Sequence, residues 1–234
     1  MILKKMRMLT QPDDVTCGPT SLHSVYNYYN YDIELGQVIK DVNFLEGGGT
    51  LAVFLGIDAI KKGFKVTLYS YNLKIFDPSW RDLPSVEIIE KLQKQLEYKS
   101  GKKFRDAVGA YINFLSIGGT LKFDPLTREL IEKYITRNIP ILTGLSATYL
   151  YQSKREYTNA KNVAIADDVK GYATGHFVVI CAIKPDEKVA ILDPYFENPI
   201  SQESYYEVEF SRLLNAIMLG VITYDGNLLI IEKK

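Results

Sequence analysis

Cysteine is scarce in this chain. Its 234 residues contain two, Cys17 and Cys181, too few and too far apart for a disulfide framework. Histidine is equally rare, at positions 23 and 176, and ligands so scattered lack the spacing of a zinc site. No run approaches the roughly 20 apolar residues that cross a bilayer, so no membrane association is expected. An excess of one charge is missing too, with Lys plus Arg and Asp plus Glu at 28 each. A nucleic-acid binder needs a basic excess to engage phosphates, so no nucleic-acid partner is expected. Residues 1–9 scatter charges among apolar residues and carry no small-residue cleavage site, which does not fit a signal peptide. Reduced thiols without such a signal imply a cytoplasmic protein. Internal repeats, low-complexity tracts and Pro/Ser-rich linkers are also absent.

What remains is an ordinary globular composition. Apolar residues make up 47% and charged residues 24%, which argues against disorder, and the length suits one well-buried domain. Helical spacing of Leu22, Val25, Tyr26 and Tyr29 predicts a helix over about 17–29, with Pro19 in its first turn. A second helix is expected after Gly47-Gly-Gly-Thr50, with Thr50 as N-cap and Leu51, Phe54, Leu55, Ala59 and Ile60 inward. Residues 64–69 alternate like a strand. The stretch of about 72–130 reads as mostly helical, with Val86, Ile89, Leu92 and Leu96 on one face and Phe104, Val108, Tyr111, Ile112 and Leu115 on the next. A short helix near 130–136 leads into a buried strand over 140–144. Further on, 176–183 and 189–193 flank a polar turn as a β-hairpin, and 221–224 and 228–231 flank Asp225-Gly226-Asn227 as a second one. Helices first and antiparallel strands later give the class α+β.

Cys17 and His176 bring the chemistry. A thiol attacks as thiolate, and the start of a helix favours negative charge there. Gly18, beside it, would let a substrate carbonyl approach closely. Of the two histidines, His23 lies six residues along the same helix, well off the cysteine's face and roughly 9 Å away by helical rise, so it reads as a surface or packing residue. His176 starts a strand after Gly175, where functional residues tend to sit. A catalytic imidazole needs an acceptor on its second nitrogen. Asp193, closing the paired strand, suits that role or that of a plain Asp-Pro turn residue. An ideal hairpin sets it opposite Val179, about three residues from His176, a gap for a bulge or the Asp193-Pro194 turn to close. A tetrahedral intermediate needs donors for its oxyanion. Gln11, in a loop six residues before Cys17, could supply one through its side-chain amide, with the Cys17 backbone N–H as the other.

The set Gln11-x5-Cys17-Gly18, Gly175-His176-Phe-Val-Val and Asp193-Pro194 resembles the C39-like branch of the papain-like cysteine peptidases. Gly49-Thr50 opening a helix that ends before Gly63-Phe64-Lys-Val, and Asn138-Ile-Pro-Ile-Leu142 as a strand, look like that family too. The resemblance covers roughly 8–72 and 132–200. It implies a single domain of papain-like fold, with N-terminal helices packed on a C-terminal antiparallel sheet and a helical insertion at about 72–130. It also implies Cys17 as nucleophile, His176 as base, Asp193 as orienting acid and Gln11 as oxyanion donor, acting on a peptide or protein substrate without a cofactor. Thr16 stands where the family often has an acidic residue. Members that mature bacteriocins are fused to transporters and cut after a double glycine. This chain shows no transporter portion, and that specificity is not carried over.

The same residues admit acyl transfer to an amine, as in transglutaminase-like and phytochelatin-synthase-like proteins, or a catalytically silent peptide-binding module. Glu46-Gly-Gly-Gly-Thr50 lacks the lysine of a phosphate loop and reads as a flexible helix entry. Cys181 faces the other side of the strand from His176 and reads as core, as does much of the cluster Tyr26, Tyr28, Tyr29 and Tyr31. Tyr149, Tyr151 and the loop over about 152–172 either line a cleft or form a plain surface loop.

Overall fold

The computed structural model describes residues 5–46, 48–159 and 163–234. Its elements run α1 (Cys17–Tyr28), α2 (Leu35–Asp41), α3 (Ala52–Lys61), β1 (Lys65–Ser70), α4 (Ser85–Tyr98), α5 (Lys102–Ser116) and β2 (Thr120–Lys122). They continue through α6 (Arg128–Ile135), β3 (Ile141–Ser146), α7 (Ala147–Tyr151), β4 (Glu156–Thr158), β5 (Ala164–Ala166), β6 (Gly175–Ile183), β7 (Lys188–Leu192), β8 (Tyr205–Glu209), α8 (Phe210–Leu219) and β9 (Asn227–Glu232). Short 3-10 turns lie at Pro78–Trp80 and Gly220–Thr223. No helix among the described residues is long and apolar enough to cross a membrane.

Seven strands form one sheet in the order β2-β1-β9-β3-β6-β7-β8. Only β1 and β2 are parallel; the other neighbours run antiparallel. The α+β class holds, but the sheet is not confined to the C-terminal half, because β1 and β2 build one of its edges. Helices also cover both faces. On one face α1, α3, α4 and α5 pack with Leu68, Leu142, Phe177, Val179 and Leu229. On the other, α6 and α8 pack with Ile141, Val178, Ile180, Ile191 and Ile230. Coverage on both sides explains why β3 is buried along its whole length and why its sequence is a continuous run rather than an alternation.

Residues 72–130, expected as an insertion, share the core of the first face. Phe76, Leu92, Phe104, Val108 and Phe114 belong to the same cluster as Leu22, Leu55 and Val66, and β2 extends the main sheet. The face expected of α4 changes at one position. Leu92 is buried and Ile89 and Leu96 pack against the core as expected, but Val86 points to solvent and Ile88 is buried in its place.

Two further expectations are corrected. Thr50 does not cap α3, for Leu51 holds that place and the Thr50 hydroxyl donates to the Asn43 carbonyl at 2.7 Å. The second hairpin does not form either. Residues 220–223 are a 3-10 turn continuing from α8, and β9 pairs with β1 and β3. The turn chemistry at Gly226, with φ of 76°, reverses the chain as expected, but into a slot between two earlier strands. Tyr26 of α1 and Tyr29 and Tyr31 just beyond it surround Phe64, with ring centroids at 5.3–5.7 Å from it. Tyr26 also donates to the buried Asp58 carboxylate at 2.6 Å.

A shared core predicts cooperative unfolding. Trp80 is the only tryptophan and lies in the 72–130 segment, so its fluorescence reports that segment while far-UV circular dichroism reports the whole. The two urea transitions are expected to coincide. Phe114→Ala should lower both by about 3–5 kcal/mol, the cost of emptying a buried aromatic site. A separate fluorescence transition would show the segment folding on its own.

Candidate active site

Cys17 is the first residue of α1 and is buried apart from a small edge. The turn before it is held by Asp13, whose Oδ1 accepts from the Val15 N–H at 3.0 Å. Thr16 occupies the N-cap position without a side-chain cap bond, so its hydroxyl does not take up the free N–H groups of the first turn. Gly18 has a reason in the packing of the protein itself. A Cβ there would collide with Thr50 Cγ2 and sit 3.3 Å from Phe177 Cδ2. One turn on, Ser21 Oγ donates to the Phe177 carbonyl at 3.1 Å. The helix that carries the cysteine is thus fastened to the residue after His176.

His176 lies near the start of β6, opposite Leu145 of β3. The expected register is altered by a bulge between Ile180 and Ala182. It puts Leu192, not Asp193, opposite Val179, which carries Asp193 one step closer to His176. The gap closes: His176 Nε2 and Asp193 Oδ1 are 2.7 Å apart. Cys17 is the other group that acts on the ring, its charge and side-chain interaction both helping to raise the His176 pKa. Sulfur, imidazole and carboxylate therefore form one chain of contacts.

Asp193 is fully buried and accepts from four donors. Oδ1 takes His176 and the Tyr195 N–H at 2.8 Å. Oδ2 takes Tyr151 Oη at 2.7 Å and Tyr206 Oη at 2.6 Å. These fill the acceptor capacity of a carboxylate. Burial works to raise its pKa, but the charge of His176 and the three side-chain donors outweigh it and hold Asp193 below the usual carboxylate value. For His176, burial works to lower the pKa, yet the charges of Asp193 and Cys17 and the bonds to both carry it up to about 10. The imidazolium is the favoured form. Burial and the adjacent Asp193 push both tyrosines well above their ordinary range, so they remain donors.

The remaining expected residues divide. Gln11 is held at the site, its backbone N–H donating to the Pro194 carbonyl at 2.9 Å. Its Nε2 donates to the Asp13 carbonyl at 2.8 Å, which uses one of the two amide hydrogens. Its Oε1 is buried without a hydrogen-bond partner among the described residues. His23 is a packing residue, with Nε2 at 3.1 Å from the Ile33 carbonyl and its pKa lowered by burial. Cys181 is core, its thiol on the Ala190 carbonyl at 3.3 Å and pushed up to about 12 by burial. Tyr151, expected in a cleft or a surface loop, has its ring 6.0 Å from that of His176. No group of His, Cys, Asp and Glu arranged to hold a metal occurs among the described residues.

Tyr206 and Asn198 escaped sequence reasoning. The signal for Tyr206 was the alternation of 205–209, a strand that pairs Tyr206 with Ile191, beside Asp193. Asn198 is buried and ties the loop after Asp193 together through the Tyr195 and Glu203 carbonyls and the Ile200 and Ser201 N–H groups. Nothing in a lone asparagine announces that.

The sequence model of the Peptidase_C39 like family matches residues 3–215. Among solved structures, the chain is similar to a putative C39-like peptidase from Bacillus anthracis, at 12% identity and TM-score 0.53 over 99% of this chain and 96% of that one. It is also similar to a double glycine motif protease from an AMS/PCAT transporter, solved in complex with the leader peptide, at 16% identity and TM-score 0.46 over 98% and 93%. No curated protein matches it. At these identities the likeness concerns the fold, which is papain-like.

The raised pKa of His176 links the site to stability. Its contribution is complete below the ordinary value of 6.5 and is lost as pH rises through about 10. Asp193→Asn removes the main charge partner, so the variant should lose less stability than wild type between those pH values. The expected difference is about 1.5–3 kcal/mol, the worth of a charge-assisted hydrogen bond. Urea unfolding at both ends of the window measures it, and equal losses would sever the link.

Proposed function

Since the chain belongs to the Peptidase_C39 like family, we propose that it is a cysteine peptidase that cleaves peptide or isopeptide bonds through a thioester. The observation that carries this reading is the chain of contacts from Cys17 through His176 to the buried Asp193. In the resting site the Cys17 proton resides on His176, giving a thiolate–imidazolium pair. The thiolate attacks the scissile carbonyl carbon, and the C=O pair moves onto oxygen. Two donors suit that oxyanion: the Cys17 backbone N–H, at an uncapped helix start, and the second amide hydrogen of Gln11, whose first is anchored on Asp13. As the tetrahedral intermediate collapses, His176 gives its proton to the leaving amine and the C–N bond breaks. Water then attacks the thioester with His176 as base, the acid product departs, and the thiolate returns. Asp193 keeps its charge throughout and holds the imidazole in place.

The substrate's approach is shaped by exposed aromatic groups on one side. Tyr195 and Phe196 lie partly exposed just beyond Asp193, and the ring of Tyr195 is 6.2 Å from Tyr151. A pocket of about 310 Å³ is lined by Leu45, Glu46, Gly48, Lys102, Lys103 and Asp106. A Cβ on Gly48 would touch Val15 at 2.9 Å, which sets this pocket beside the cysteine loop. Segment 72–130 thus supplies one wall through the start of α5, and its part in this reading is to select among substrates.

Cys17 should alkylate with iodoacetamide at neutral pH at least about tenfold faster than Cys181, which burial keeps protonated. A peptide bearing an electrophile should add one mass equivalent to wild type and none to Cys17→Ala. Labelling at Cys181, or equal labelling of the variant, would falsify the assignment.

A further inference from the structure

A carboxylate outside the catalytic chain packs against the backbone next to His176. Asp225 follows the 3-10 turn after α8 and is 6% exposed. Its Oδ2 accepts from Thr223 Oγ1 at 3.0 Å. Its Oδ1 has no hydrogen-bond partner among the described residues. Leaving a buried carboxylate oxygen unpaired costs stability, and an Asp-Gly turn needs no such burial. The turn is stitched in place: the Asp225 N–H donates to the Gly220 carbonyl at 2.9 Å and the Gly226 N–H to the Gly144 carbonyl at 3.0 Å.

The carboxylate takes the room of two side chains. A Cβ on Gly175 would collide with Asp225 Oδ2 and sit 2.8 Å from Thr223 Oγ1. A Cβ on Gly144 would sit 2.8 Å from Asp225 Oδ1. Neither glycine has a positive φ, so backbone conformation does not require glycine at either place. Gly175 directly precedes His176, and Gly144 lies on the neighbouring strand, opposite Phe177. The glycine of the Gly175-His176 pair is therefore explained by its contact with Asp225.

We propose that Asp225 is a positioning residue for His176: by seating on the Gly175 backbone it fixes where β6 begins and so where the imidazole meets the Cys17 sulfur. The inference rests on the reading of Cys17 and His176 as nucleophile and base. The groups that face Asp225 are Thr223 on its own turn, Lys103 and Tyr111 from α5, and His176 from β6. Burial pushes the carboxyl up to about 7, although the Thr223 hydroxyl and the charges of Lys103 and His176 oppose it. Its titration is thus separated from that of Asp193, which is held low.

The test reads the rate of Cys17 alkylation by iodoacetamide across pH, resolved by mass spectrometry from that of Cys181, and needs no peptide substrate. Gly175→Ala should slow Cys17 by about ten- to a hundredfold, the effect of displacing a reacting group by about 1 Å. Adding Asp225→Ala to that variant should restore part of the rate, because the methyl added at position 175 then fills the room the carboxylate left, whereas Asp225→Ala alone, which empties that seat, should slow Cys17 about tenfold. Asp225→Asn keeps the shape and should lose the inflection near pH 7. The inference is overturned if Gly175→Ala reacts like wild type, if the double variant is no faster than the single, or if the Asp225→Asn profile superimposes on wild type. Should Gly175→Ala fail to fold by circular dichroism, Asp225→Ala alone decides, and a wild-type Cys17 rate in it overturns the inference. If wild-type Cys17 reacts no faster than Cys181, the peptidase reading itself falls and this inference with it.

Discussion

A carboxylate taken out of water must find donors for nearly all of its lone pairs, and Asp193 finds four. They come from β6, α7, β8 and the loop after Asp193. Displacing any of these elements would leave a buried charge short of a partner, which costs more than the lost bond is worth when formed. This one requirement locks together parts of the chain that share little else. It also decides which residue holds the proton, because a fully ionised Asp193 is what makes the imidazolium the favoured form of a buried histidine.

Around that carboxylate the fold works by fastening backbones rather than by adding further charges. The Cys17 helix is tied to β6 through Ser21 and through the close approach of Gly18 to Phe177 and Thr50. The Gln11 loop is tied to Pro194. On the far side the Thr223–Asp225 turn sits on Gly175. Gly18 and Gly175 serve as seats in two of these, since close contact transmits position with little play. The two cores then hold the sheet from both faces, so the site is mounted on a layer that cannot tilt toward either.

The legible part of the site was the part carried by rare residues. With two cysteines and two histidines, elimination and helical geometry left few choices, and the contacts between Cys17, His176 and Asp193 follow those choices. Periodicity gave most helices and the β6–β7 hairpin, since these are local in sequence. It did not reveal that β9 inserts between β1 and β3, because pairing across more than eighty residues leaves no local mark. The same turn residues, Asp225-Gly226, suit a hairpin and a crossover equally well. Tyr206 and Asn198 were hidden for another reason. Their role depends on a buried carboxylate that no composition or spacing displays.

The position of β9 also bears on when the thiol becomes reactive. Residues 227–232 fill the slot between β1 and β3, and until they do, no strand joins the layer carrying α3 to the one carrying His176. During synthesis Cys17 emerges early, whereas the histidine, the carboxylate and the strand that closes the sheet follow it by about 160 to 210 residues. Bringing such distant segments together is the slow part of folding. A growing chain therefore carries Cys17 without the partners that surround it in the completed sheet. Under the proposed peptidase reading, the site is in this way kept incomplete while unfolded chains, its own included, lie within reach.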